Sequence, residues 1–241
     1  MSIEHQDQWL QTPLGNYLQA REQALFDHAV SDVFGFNAVQ VGMLRMDLLR
    51  NSRMPFCLRV DVDDGPVRCE PSQLPFVTNS IDLLQLPHVL EFSENPHQTL
   101  REAERVLVPE GQIMISGFNP ISSWGLKRLV AKDEGYPWNG NFMSLLRIKD
   151  WLALLSFEIT ATRMACYAPP FRNPSWLERF QGLDKAGGGR WPMMGGIYFI
   201  MAKKRVIGMR LIRPSWQAAK LKSKLVPTPS QKNDTNFNDK Q

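Results

Sequence analysis

The sequence predicts an α/β fold: a mostly parallel sheet of seven strands, helices on both faces and an antiparallel last strand. Three observations carry this. Short apolar runs that stop at Gly or at acids alternate with stretches of helical period along residues 13–166, and strands alternating with helices build a parallel sheet. The final two strands are joined by a long Gly-, Pro- and Trp-rich stretch, about residues 168–194, that reads as helix-free. Such a connection predicts an antiparallel edge strand and a functional loop. The length of 241 residues suits one domain plus extensions.

The elements follow in order. Thr12-Pro13 is a helix start, a capping hydroxyl followed by proline at the first helical position. Leu14, Leu18, Leu25, Ala29 and Val33 then recur near helical period until Gly35, predicting one helix over 13–34. Ala38 to Val41 is a buried strand stopped by Gly42; Met46 to Asn51 is read as a short helix. Phe56 to Val62 is the second strand and ends among Asp61, Asp63 and Asp64; Val67 to Cys69 is a brief third and Ile81 to Leu86 a fourth. Asn95 caps the next helix, with Pro96 at its first position and Leu100, Ala103 and Leu107 on one face. Pro109-Glu110-Gly111 breaks it before a fifth strand, Gln112 to Gly117. Ile148, Trp151, Leu152 and Leu155 mark a further helix; Glu158 to Cys166 and Gly196 to Ala202 are the last two strands.

Composition is that of an ordinary globular chain, 43% apolar and 22% charged, so a collagenous fibre or wholesale disorder is excluded. No apolar run approaches the ~18 residues of a membrane span, and the first residues lack the apolar stretch of a signal peptide. Cys57, Cys69 and Cys166 are odd in number and form no CxxC, which disfavours a disulfide framework or a zinc cluster and makes a cytoplasmic location the expectation. The net charge of +4 hides an asymmetry: residues 203–241 hold ten Lys or Arg and two Asp, so residues 1–202 carry a net −4. Eight of those cations fall within 203–225 with no acid among them. That stretch is either a solvated solubilising tail or a contact for RNA or another polyanion. Residues 226–241 are polar, contain two prolines and read as disordered. The predicted organisation is an N-terminal helical extension (1–36), an α/β domain (37–205) and a basic, partly disordered tail (206–241).

In an open sheet of this kind the ligand lies past the carboxyl ends of the strands. The residues there are Gly42, Asp61 and Asp63, Glu70, Pro87-His88 and Phe118-Asn119. Residues 74–120 supply Leu74-Pro75-Phe76, Ser80-Ile81-Asp82, Leu100-Arg101-Glu102 and Arg105-Val106-Leu107 with Pro109 and Gly111, followed by Gly117-Phe118-Asn119-Pro120 and Trp124-Gly125. This pattern resembles the Methyltransferase-11 group of class I S-adenosylmethionine-dependent methyltransferases. The resemblance covers about residues 13–205 and implies a Rossmann-like seven-stranded sheet whose last strand is antiparallel, with S-adenosylmethionine as cofactor.

The resemblance also implies site residues. Where the group has D/E-x-G-x-G-x-G, this chain has Gln40-Val41-Gly42-Met43-Leu44-Arg45-Met46, so only Gly42 remains. Leu44 and Met46 would crowd a loop the group keeps open. Gln40 lacks the charge that favours the cofactor's ammonium group, and losing a charged hydrogen bond costs about 1.5–3 kcal/mol. Restoring Gln40→Glu with Leu44→Gly is therefore expected to tighten binding. Asp61, or Asp63, falls where the group places an acid on the ribose hydroxyls, and Glu70 where it often contacts adenine; Leu86 and His88 would line the pocket. His88 could also act as a base near the methyl group, against a plain hydrogen-bonded wall residue. Asn119, Trp124 and Trp191 are candidate substrate contacts; Trp138 and Trp176 could help close the pocket. Gly187-Gly188-Gly189 and Gly195-Gly196 read as hinges of a lid, or as a plain flexible loop; no Gly-Lys-Ser/Thr follows, so they are no P-loop.

Methyl transfer needs alignment more than covalent help, and no catalytic triad is visible. The expected function is methyl transfer to an unidentified acceptor, a small molecule in the first instance. The alternative is a catalytically silent binding module, which the altered first loop favours. A nicotinamide dehydrogenase also uses an acid after the second strand, but the 74–120 pattern speaks against it.

Overall fold

A computed structural model describes residues 3–131, 135–171, 174–180 and 193–206. They belong to one compact unit, Met1–Val206. The hinge glycines 187–189, Trp191 and the tail from residue 207 lie outside the described residues.

The chain opens with α1 (Ile3–Leu10) and α2 (Pro13–Val30), continues with β1 (Asn37–Val41), β2 (Phe56–Asp61), β3 (Val67–Arg68) and β4 (Ile81–Pro87), and then forms α3 (Pro96–Val106) and β5 (Leu107–Phe118). The remaining elements are α4 (Ser123–Ala131), α5 (Leu145–Leu154), β6 (Phe157–Ala165), α6 (Pro174–Phe180) and β7 (Ile197–Lys204). The sheet has seven strands in the order β3-β2-β1-β4-β5-β7-β6. Strands β1 to β5 pair in parallel, and β7 is antiparallel to both β5 and β6.

Both caps read from the sequence are formed. Thr12 accepts from the Gly15 N–H, and Asn95 accepts from the Gln98 N–H, each closing an orphan donor of the first helical turn. Strand alternation then divides the core. Val39, Leu84, Leu86, Ile113 and Ile115 face α3 and α5. On the opposite face Ala38, Leu83 and Met114 meet Phe26 and Val30 of α2. α2 thus packs across β1, β4, β5 and β7 on this face.

Five expectations are corrected. The helix predicted over 13–34 ends at Val30, and a separate helix, α1, precedes it. That polar segment was invisible to hydrophobic periodicity, because its apolar anchors Trp9 and Leu10 are adjacent and set no period, Trp9 packing against Trp124 and Tyr136, while Asp7 is held by Arg45. Residues 46–51 are turns rather than a helix. The fifth strand begins at Leu107, five residues early, because Ile81 pairs with Leu107 while Leu83 already pairs with Gln112, so residues 108–111 bulge out of the ladder around Glu110 at φ +67°. The connection between the last two strands does contain a helix, α6. Finally, β7 is antiparallel but central: it inserts between β5 and β6, leaving β6 at the edge. An antiparallel strand needs no crossover, so it can return into any open edge position.

Candidate functional site

At the carboxyl ends of β1 and β2 a cleft of about 250 Å³ opens between the first loop, the turn after β2 and the covering helix α1. It is lined by Gln6, Asp7, Met43, Leu44, Asp61 and Asp64 among others, and it is small beside the roughly 300–1,000 Å³ of ligand pockets in general. Gly42 ends β1 at φ +77°, a conformation that favours glycine, and its N–H donates to the Val60 carbonyl at 2.7 Å.

Gln40 determines the path of the loop that follows. It is fully buried, and its amide nitrogen donates to the carbonyls of Gly42 (3.0 Å), Met43 (3.1 Å) and Met46 (2.8 Å). Its amide oxygen accepts from the Leu48 N–H at 3.1 Å. Met43, Met46 and Leu48 turn into the core against α2. Leu44 lies over Gly65 of the turn after β2, its Cδ1 2.9 Å from where a Cβ on that glycine would stand. The glutamine thus does by hydrogen bonding what glycine freedom does elsewhere: it holds a tight loop.

Asp61 is half-buried at the mouth of the cleft. Its carboxylate accepts from the Val62 N–H at 2.6 Å; burial raises its carboxyl above the usual range, outweighing that bond and the one from Asp63. Asp63 is exposed, as is Glu70, which does not line the cleft; its backbone carbonyl accepts from Gln73. Burial, with Asp61 and Glu70 nearby, pushes the Cys69 thiol up to about 11.

Deeper, at the carboxyl ends of β4 and β5, three buried ionisable side chains meet. His88 Nε2 lies 3.3 Å from Glu22 Oε1, and His88 Nδ1 lies 3.3 Å from Glu91 Oε1. Ser116 Oγ donates to Glu22 Oε1, and the Phe118 N–H donates to Glu91 Oε1 at 2.6 Å. His88 adopts φ +52° and stacks its ring 4.1 Å from that of Phe118. Burial lowers the affinity of its imidazole for a proton, but the two carboxylates outweigh burial and raise it to about 10. The carboxylates on either side thus favour the protonated ring over the neutral imidazole that a general base requires. Tyr198 stands beside Glu91: a Cβ on Gly117 would meet its hydroxyl and come 2.7 Å from Glu91 Oε1.

Sequence reasoning missed both glutamates. The signal was present for one of them: Leu14, Leu18, Glu22, Phe26 and Val30 fall four apart and all are buried, so an acid stands inside the apolar stripe of α2.

The remaining site expectations fall as follows. Leu86 is core, between α3 and the sheet. Asn119 is buried, its amide nitrogen donating to the carbonyls of Met193 and Gly195 at 2.9 and 3.0 Å. Trp124 is fully buried and donates to the Ala168 carbonyl at 3.0 Å. Trp138 packs on it, whereas Trp176 is half-exposed and stacks on Phe180. Among the described residues no cluster of His, Cys, Asp or Glu is arranged to hold a metal ion, and no helix is long and apolar enough to cross a membrane.

Comparison with known proteins adds the following. A family described as "Methyltransferase domain" matches residues 24–115. The uncharacterized protein YafS of Escherichia coli is 33% identical over 210 residues, covering 85% of this chain and 83% of YafS. Among solved structures, an S-adenosylmethionine-dependent methyltransferase of Thermotoga maritima, described as a possible histamine N-methyltransferase, superposes with a TM-score of 0.54 at 15% identity, covering 84% of this chain and 96% of that one. One from Mesorhizobium loti gives 0.53 at 16% identity, over 75% and 96% of the two chains. At these identities the superpositions establish a shared fold.

Proposed function

The chain belongs to the class I S-adenosylmethionine-dependent methyltransferases, Methyltransferase-11 type, and from that premise we propose that it binds S-adenosylmethionine at the β1–β2 cleft and methylates a small-molecule acceptor. The observation that carries this is Asp61: a half-buried carboxylate at the end of β2, one strand from the Gly42 turn, lining the cleft. A carboxylate so placed accepts both hydroxyl protons of a ribose. The cofactor brings an activated methyl group on a sulfonium. The chain's own part is to hold the ribose through Asp61, to close the loop through Gln40 and to exclude water with the aromatic layer of Trp9, Phe118, Trp124 and Tyr136. In this reading Gln40 and Gly42 shape the pocket, Leu86 and His88 back it from the core, and Glu70, outside the cleft lining, approaches the adenine end. Asn119, Trp124 and Trp191 act on the acceptor side, Asn119 and Trp124 by fixing the turn that frames it. A cytoplasmic location goes with this reading and with three cysteines that form no disulfide.

The expected affinity is weak, a dissociation constant of about 10–100 µM, since no acid stands at position 40. Calorimetric titration with S-adenosylmethionine and S-adenosylhomocysteine tests it. In Asp61→Ala the affinity is expected to drop at least about tenfold with the fold intact; an unchanged affinity removes Asp61 from the site.

A second reading, a catalytically silent module, is favoured by one observation: all of the Gln40 side chain is used up within its own loop, and Met43 and Met46 fill the space beneath. No binding of either compound at millimolar concentration would establish it. Lys203, Lys204 and Arg205 are paired with Glu110, Glu104 and Glu158, so in both readings the other five cations of 203–225, Arg210, Arg213, Lys220, Lys222 and Lys224, are proposed to contact RNA or another polyanion. Truncation after Arg205 is expected to shift elution from heparin to clearly lower salt while leaving cofactor affinity unchanged. Equal retention makes the segment a solvated extension.

A further inference from the structure

We propose that the outer face of α4, with the aromatic side chains of α6 beside it, docks on an anionic lipid bilayer, so that the chain acts as a peripheral membrane protein. The carboxyl ends of β5 and β6 then face the lipid. This goes beyond the cofactor reading and does not depend on it.

The first observation is an inverted helix. α4 buries Trp124, Gly125 and Ala131 and turns Leu126, Leu129 and Val130 outward, 65%, 75% and 89% exposed. These three stand at i, i+3 and i+4, and Ile121, just before the helix, is exposed as well. A surface helix ordinarily shows such a stripe to the core and its charges to water. Here the charged side chains are drawn aside. Lys127 Nζ donates to the Pro170 carbonyl at 2.9 Å and lies 4.7 Å from the centre of the Trp138 ring. Arg128 Nε donates to the Gly140 carbonyl at 2.6 Å, with its guanidinium 5.2 Å from the centre of the Phe142 ring. Carbonyl oxygens and ring faces hold a cation without cancelling its charge. The stripe is therefore apolar along its crest and cationic on its flanks.

The second observation is concentration. Of the sixteen large apolar side chains exposed among the described residues, eight belong to two connections at this end of the sheet, residues 119–144 after β5 and 166–196 between β6 and β7. The Lys127–Pro170 bond ties α4 to the second connection. There Phe171 and Trp176 are exposed and pack with each other and with Phe180, ring centres 5.8 to 5.9 Å apart. Exposed aromatic rings are what membrane–water interfaces favour. The third observation is charge. The same two connections hold seven Lys or Arg and four Asp or Glu, a net +3, whereas residues 1–202 as a whole carry −4. Apolar side chains among cations, on a body otherwise acidic, suit acyl chains lying beneath anionic headgroups. A second copy suits the face less, because a two-fold contact sets like patches against each other and so brings two positive ends together.

Co-sedimentation of the full-length chain with phosphatidylcholine vesicles, with and without about 30% phosphatidylglycerol, tests this. The parent is expected to partition onto the anionic vesicles, and less so as salt rises. Leu129→Ser with Val130→Ser changes no charge and touches only exposed side chains. It is expected to lower the partition coefficient at least about tenfold. Leu126→Ser, on the same stripe, is expected to act in the same direction. Val77→Ser with Leu154→Ser removes equally exposed apolar side chains at the amino ends of β4 and β6, and is expected to leave partitioning unchanged. A parent that stays in solution, or an equal loss in both double variants, overturns the proposal. A chain with both α4 serines that sediments like the parent also overturns it, since binding then runs through the basic segment after Arg205. A parent that is a dimer by light scattering and becomes a monomer with the α4 serines overturns it too, and assigns the face to a second copy. Titration with S-adenosylmethionine is a separate measurement and bears on the cofactor reading alone.

Discussion

Gln40→Glu is expected to destabilise the protein by about 3–5 kcal/mol at pH 8, and to loosen rather than restore the first loop. The sequence alone suggests the opposite, since an acid here would complete the family pattern. In the structure three backbone carbonyls, those of Gly42, Met43 and Met46, converge on the side-chain nitrogen of Gln40. A carboxylate in that place faces three acceptors with no donor. It is also fully buried, so it would escape by binding a proton, its carboxyl raised above the ordinary value of about 4.3. The sign follows. An acid raised in the folded state leaves stability nearly intact below its unfolded value and removes it as pH rises toward the folded one. Urea denaturation at pH 5 and pH 8 is the measurement, with the larger loss expected at pH 8. A variant as stable as the parent at pH 8 would show that the loop takes another path.

His88→Gln is expected to cost about 3–5 kcal/mol, the range for breaking a buried ion pair by removing one partner. Glu22 and Glu91 would then face each other across a buried gap with no cation between them. Replacing all three residues by glutamine removes every charge at once, and is expected to recover a large part of that loss, because a neutral set carries no desolvation penalty. The parent should also show the titration of this residue. Its folded value is raised to about 10 from an unfolded value of about 6.5. Its contribution is therefore complete below about pH 6.5 and is lost as pH rises toward 10, at up to about 1.4 kcal/mol per pH unit. Burial pushes the hydroxyls of Tyr136 and Tyr198, the neighbouring titratable groups, well above their ordinary range, so they stay neutral across this window. Stability measured at half-unit steps from pH 6.5 to 9.5 should fall in the parent relative to His88→Gln. Parallel curves would mean that His88 holds no proton above its ordinary range.

How far the sequence reached can be argued from particular residues. Thr12-Pro13 and Asn95-Pro96 start helices through local chemistry, a side-chain oxygen on the third following N–H, and both starts are correct. The parallel strands β1 and β4 were legible because strands buried on both faces are short, mostly apolar runs. The family pattern over 74–120 was legible because it is a linear spacing, and the acid at Asp61 because it ends a strand. In each case the determining interaction lies within a few residues along the chain.

What escaped was decided between distant residues. The place of β7 between β5 and β6 depends on which sheet edge is open, a property of the assembled sheet. The role of Gln40 depends on a loop folding back over it, so that a residue read as a lost acid is a required donor. Glu22 and Ser116 are 94 residues apart in sequence and in hydrogen-bond contact in the fold. No local rule predicts that an acid on a helix stripe will find a histidine after β4 and a second acid three residues on. The sequence by itself determined the fold class, the seven strands, the helix starts at Thr12 and Asn95, and the strand end that carries Asp61. Only the tertiary structure decided where the buried charge of Glu22, His88 and Glu91 sits, because burial sets the protonation of a side chain and burial exists only once α2 has packed across the sheet.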